Sequence, residues 1–180
     1  MILAVALLVC TPRQAPAVEG GDAFERLKTL AGDWEADLPG FGKIKNVIRV
    51  ISNGRAIEET IGTDDNNEAS IYTRDGGRIL LTHFCAMTED GHQVRLRSGA
   101  PGGTAELLQF DFQEATNLHS VSAPHMRKVS LQFADQDHFS ERWTKTERGR
   151  ETVFELKFVR VSASPQRQEP AIAEQPRRDQ

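Results

Sequence analysis

At 180 residues, with 38% hydrophobic side chains, the chain carries enough apolar material for one sizeable core and not for two. Its 22 Lys and Arg stand against 26 Asp and Glu, a formal net charge of -4. That balance, with no interleaving of basic and aromatic residues, excludes the electrostatic footprint of a nucleic-acid partner.

The apolar run Ile2 to Val9 is shorter than the roughly 20 residues a helical membrane span requires. It reads as the hydrophobic region of a signal segment, with Ala15-Pro16-Ala17 as the cleavage pattern. Residues 1–17 are therefore expected to be removed on export to the periplasm or the exterior, leaving no transmembrane span in the mature chain. A buried N-terminal strand is the alternative. Cys10 ends this run and invites comparison with a lipoprotein site, but Val9 is bulkier than the small residue such a site takes, so a lipid anchor is the lesser reading. Once the segment is cleaved, Cys85 is the remaining thiol and no intramolecular disulfide can form.

Asp22-Ala23-Phe24-Glu25 reads as a helix start, with Asp22 as the N-cap. Phe24, Leu27, Leu30 and Ala31 follow at helical spacing, and Gly32 offers a stop. Beyond it the chain breaks into short alternating runs separated by turn residues. They are Asp33 to Asp37, Lys43 to Ile51, Arg55 to Ile61, Ser70 to Arg74, Arg78 to Met87, His92 to Ser98, Glu106 to Phe112, Met126 to Phe133, Phe139 to Thr146 and Thr152 to Val161. About ten strands with hairpin-length links predict an all-β, antiparallel up-and-down barrel, since closure removes exposed strand edges. The barrel is expected over residues 22–161. From Ser162 to Gln180, Pro, Gln, Glu and Arg replace nearly all apolar residues, which predicts a disordered tail.

Gly32-Asp33-Trp34-Glu35, Asn53-Gly54-Arg55-Ala56-Ile57-Glu58-Glu59, Ile71-Tyr72 with Asp75-Gly76, Leu81-Thr82-His83-Phe84-Cys85, and Asp137-His138 with Glu141-Arg142-Trp143 together resemble the bacterial lipocalin-like domains of unknown function. The resemblance covers roughly residues 24 to 161 and is most specific at Thr82-His83-Phe84-Cys85 and at the Gly-x-Trp start. It implies a calycin-type barrel whose N-terminal helix closes one mouth, often exported and without an established activity. In that family the Cys is commonly followed by a longer polar turn with Asn, Gln and Pro. Here Ala86-Met87-Thr88-Glu89-Asp90-Gly91 stands instead.

Alternation puts Ile79, Leu81, His83 and Cys85 on one face of their strand. His83 and Cys85 form a possible soft metal or reactive pair, but two donors fall short of a metal site, and a satisfied His beside an inert thiol is the favoured reading. No metal is therefore assigned, and no particular cofactor is implied. His125 and His138 flank another strand and could join His83 if all three converge inside the barrel. Glu59, Tyr72 and Arg95 lie on strands where an unpaired buried charge would be costly. Glu59 and Arg95 could pair inside or orient the head group of an amphiphile, although Gln93, Arg95 and Arg97 make a polar face that belongs more naturally outside. Trp34 and Trp143 read as core plugs.

No G-x-S-x-G elbow, phosphate loop or H-E-x-x-H spacing occurs, and whether the chain is an enzyme stays open. The leading expectation is an exported barrel that binds a small apolar or amphipathic molecule through His83, Tyr72, Cys85, Glu59, Arg95, His125 and His138. The alternatives are a metal- or His-dependent enzyme centred on His83, or a structural protein of the cell envelope. The oligomeric state is left open.

Overall fold

A computed structural model of the chain describes residues 20–86, 91–99, 106–120 and 122–163. A helix α1 (Gly20–Lys28) precedes ten strands: β1 (Gly32–Leu38), β2 (Gly42–Ile51), β3 (Ala56–Gly62), β4 (Asn67–Asp75), β5 (Arg78–Cys85), β6 (His92–Ser98), β7 (Leu107–Thr116), β8 (His125–Phe133), β9 (His138–Glu147) and β10 (Arg150–Ala163). Each strand pairs antiparallel with its sequence neighbour, and β1 pairs with β10 through Gly32 to Ala163 and Glu35 to Val159, closing the barrel. The all-β, single-barrel expectation is what the structure shows.

Turn chemistry sets the hairpins. Between β9 and β10 only Arg148 and Gly149 intervene, both at positive φ (50° and 74°), the two-residue geometry that matches the twist of paired strands. Between β3 and β4, Gly62 (φ 144°) passes so close to the chain that an added Cβ would lie 2.3 Å from the Asn66 carbonyl oxygen, so no larger residue fits there.

Several boundaries differ from those read in the sequence. The helix starts at Gly20, two residues before the expected Asp22 cap, and Gly32 already belongs to β1. Strand β7 continues past Phe112 to Thr116, where Glu114, Ala115 and Thr116 find ladder partners on β6 across a bulge at Gln113, and β5 ends at Cys85, short of Met87. Strand β10 reaches Ala163, so Ser162 is part of the sheet. The signal segment, Cys10 and the rest of the expected tail lie outside the described residues.

The antiparallel order brings the β2–β3, β4–β5 and β8–β9 connections and the β1–β10 seam to one end, and α1 packs there. Phe24, Leu27 and Leu30 are buried in the common core. Arg74 of β4 lies over the Phe24 ring and pairs with Glu25 (2.5 Å), while Arg26 covers Phe133 of β8. The core of this end is aromatic: Trp34 meets Phe139 edge-on (4.7 Å), and Phe139 stacks on Phe158 (4.9 Å). Arg160 of β10 caps the plug, lying over Trp34 and donating to the Ala31 and Thr29 carbonyls at the helix end. The helix therefore closes one mouth of the barrel.

The outward face is charged, with Lys45–Asp64, Arg95–Glu114, Arg97–Asp75 and Lys128–Asp111 pairs, the inverse of the apolar band of a lipid-facing barrel. Among the described residues no helix is long and apolar enough to cross a membrane.

Candidate functional site

Away from α1 the barrel interior becomes polar. Strand alternation aims Asn46 of β2, Glu59 of β3, Ser70 and Tyr72 of β4, His83 of β5 and Glu141 of β9 inward, and each is almost wholly buried. Nearer the end opposite α1 lie Glu68, Cys85, His92 and His125.

Glu59 is the hub. Its carboxylate accepts from Asn46 Nδ2 (2.6 Å) and from the Tyr72 hydroxyl (2.7 Å), and it is hydrogen-bonded to Glu141. Glu141 in turn accepts from Trp143 Nε1 through Oε2 (2.8 Å). A carboxyl–carboxyl hydrogen bond requires a proton on one of the two oxygens, and two buried carboxylates in contact cannot both ionise. Burial, and then the neighbouring charge of Glu59, push Glu141 well above the usual carboxylate range, so Glu141 is the proton carrier and donates to Glu59. Burial and the same two carboxyls hold the Tyr72 phenol well above its ordinary value. Glu59 thus gathers three donors, as a desolvated carboxylate requires. Two oxygens of the group, Asn46 Oδ1 and Glu141 Oε1, are buried without a hydrogen-bond donor.

Trp143 links this cluster to a second one. Its ring lies 4.8 Å from the His83 imidazole. His83 Nδ1 meets Ser70 Oγ at 3.1 Å, and His83 Nε2 lies 3.4 Å from Glu68 Oε2. The other Glu68 oxygen accepts from the Cys85 thiol (3.5 Å) and from the Ala86 amide (3.1 Å). Burial acts to raise the Glu68 carboxyl, but His83, the Ala86 amide and the Cys85 thiol together outweigh it and hold it below its ordinary value. His92, opposite Cys85 across the β5–β6 ladder, is held below the usual imidazole value by burial and then by His125 and His83.

Of the residues singled out in the sequence, Glu59, Tyr72, His83 and Cys85 face the interior together. His125 is buried toward the same end beside Phe112 (5.3 Å), its Nδ1 against the Ala123 carbonyl (2.8 Å). Two are placed elsewhere. Arg95 lies outside, where it donates to Glu114 (2.7 Å), so the Glu59–Arg95 pair does not form. His138 is exposed at the helix-closed end, against Asp135 (2.9 Å), and does not converge with His83. The disagreement follows from alternation: Arg95 shares its face with Gln93 and Arg97, and His138 sits where β9 leaves a turn.

Asn46 and Glu68 escape the sequence reading, and Glu141 enters it only within the stretch Glu141-Arg142-Trp143 that carries the family resemblance. A signal existed for two of them. Asn46 stands between Ile44 and Ile48 at the i±2 positions and Glu141 between Phe139 and Trp143, as Glu59 stands between Ile57 and Ile61. A polar residue framed by apolar ones at i±2 shares their inward face. Glu68, between Asn66 and Ser70, carries no such mark.

Compared with known protein families and with curated proteins, the chain matches none. The class its architecture defines is the closed, ten-stranded antiparallel barrel, consistent with a calycin-like fold.

Proposed function

We propose that the barrel binds a small amphipathic molecule, admitted at the mouth opposite α1, with its polar end on the Asn46–Glu59–Glu141–Tyr72 cluster and its apolar part against the surrounding core. The observation that carries this reading is the buried, partnerless Asn46 Oδ1 beside a desolvated carboxylate pair. A purely structural core would gain by replacing such a group with apolar side chains. The cluster offers acceptors and one negative charge, so the complementary polar end is a hydrogen-bond donor, neutral or cationic: a hydroxyl, amide or amine. A carboxylate head would meet Glu59 and Glu68 and be repelled.

Membership of the lipocalin-like group and export are part of the same proposal, supported by the Gly32-to-Trp34 start, the Thr82-to-Cys85 block and the run Ile2 to Val9. Native mass spectrometry of the protein as isolated, followed by titration with a long-chain alcohol, amine and carboxylate of equal chain length, tests the reading. The alcohol or amine is expected to bind saturably and the carboxylate at least about tenfold more weakly, the factor that 1.4 kcal/mol of lost pairing represents. Absence of saturable binding by all three, or preference for the carboxylate, would overturn it.

A further inference from the structure

We propose that Glu68, His83 and Cys85 form a binding site for a zinc-type divalent cation at the open end of the barrel, separate from the carboxyl cluster below it. One donor atom from each residue lies within 4.8 Å of the others. The His83 Nε2 to Glu68 Oε2 separation is 3.4 Å and the Cys85 Sγ to Glu68 Oε1 separation 3.5 Å. Two donors at about 2.1 Å from one ion, at a tetrahedral angle, stand roughly 3.4 Å apart, so His83 and Cys85 each stand near that spacing from Glu68, through different oxygens of its carboxylate, and a small contraction brings all three to one ion.

His83 supplies the independent observation. Its side chain is 1% exposed, and Nε2 faces the Glu68 carboxylate at 3.4 Å without a well-aligned hydrogen bond to it. Its other nitrogen meets Ser70 Oγ. With a cation in place, a proton on Nδ1 donated to that oxygen would leave the Nε2 lone pair for the metal, the arrangement by which an outer partner orients a metal-binding imidazole. The three donors sit on one paired hairpin, with Ser70 opposite His83 and Ala69 opposite Phe84 in the β4–β5 register, so they need no loop movement to converge.

Imidazole nitrogen, thiolate sulfur and carboxylate oxygen are the donor set of a borderline-soft cation such as zinc. Binding is balanced in charge and protons: the Cys85 S–H proton, now directed at Glu68, leaves to solvent as the S–metal bond forms, and His83 and Glu68 coordinate without further proton loss. Three protein donors leave a fourth position for water or an added ligand. The inference stands whether or not the barrel binds an amphiphile.

The test uses the full chain with Cys10→Ser, so that Cys85 is the sole thiol, stripped with chelator and titrated with Co²⁺ and then Zn²⁺. One equivalent of cobalt is expected to bind with thiolate-to-cobalt absorption and to be displaced by one equivalent of zinc. Cys85→Ser and Glu68→Gln, which preserve side-chain shape, are each expected to weaken zinc binding by more than about 100-fold, and Ser70→Ala by about tenfold. His138→Ala, at the other end of the barrel, is expected to change nothing. No saturable binding, cobalt bound without thiolate absorption, or unchanged zinc affinity in folded Cys85→Ser and Glu68→Gln proteins would overturn the assignment.

Discussion

The aromatic plug beneath α1 and the polar interior beyond it are built on the same ten strands and the same alternation, yet they differ in kind. At the closed end Trp34, Phe139 and Phe158 pack ring against ring under Phe24 and Leu27, and the indole N–H of Trp34 is matched by the Leu30 carbonyl (2.8 Å). One inward position further along the strands, opposite and beside that plug, stand Asn46, Glu59, Ser70, His83 and Glu141. The first arrangement is what burial of apolar surface selects. The second withdraws charged and polar groups from water, which a fold does not need for its stability. Where the interior departs from apolar packing is where function is to be sought.

Substitutions in the two halves should separate accordingly. The largest effect is expected from Trp34→Ala, which empties the plug at the closed end: a loss of about 3–5 kcal/mol in chemical denaturation. A loss under ~1 kcal/mol would mean that the closed end is not the stabilising half. Next comes Glu59→Gln at the hub. Its amide nitrogen would face a donor, Asn46 Nδ2 or the Tyr72 hydroxyl, and one mismatched buried group costs about 1–3 kcal/mol.

Glu141→Gln should behave in the opposite way, because a neutral amide reproduces the protonated carboxyl: it can donate to Glu59 and accept from Trp143. The sign of the pH dependence follows from its raised value. The folded protein holds a proton on Glu141 that the unfolded chain releases above pH 4.5, so this contribution to stability is complete below that pH and is lost as pH rises through the raised value. Denaturation midpoints followed upward from about pH 5 are expected to fall further for the native chain than for Glu141→Gln. Equal slopes would show that Glu141 is not the proton carrier. The smallest effect belongs to the outer face, where Arg95→Ala removes an exposed ion pair and should change stability by at most about 1 kcal/mol.

Much of this contrast is written in the sequence. The ten strands stand out because turn residues punctuate runs of period two, and the helix because Phe24, Leu27 and Leu30 recur at its own period. What escapes is the identity of the inward polar groups, for a lone strand shows two faces without saying which is inside. Residues framed at i±2 by apolar side chains, such as Asn46, Glu59, His83 and Glu141, can be recovered from that frame, and the polar frame of Arg95 places it outside. Glu68 cannot be recovered this way. It meets His83 and Cys85 only through pairing with β5, and cross-strand register is a property of the fold and not of any single run.

The most direct measurement is titration of the native chain, Asn46→Leu and Phe24→Leu with one long-chain alcohol, by calorimetry. The native chain is expected to bind it saturably, Asn46→Leu to lose at least about tenfold in affinity, and Phe24→Leu, altered only where α1 closes the barrel, to stay within about twofold of native. Equal affinity in all three, or a loss confined to Phe24→Leu, would contradict the placement of function in the polar interior.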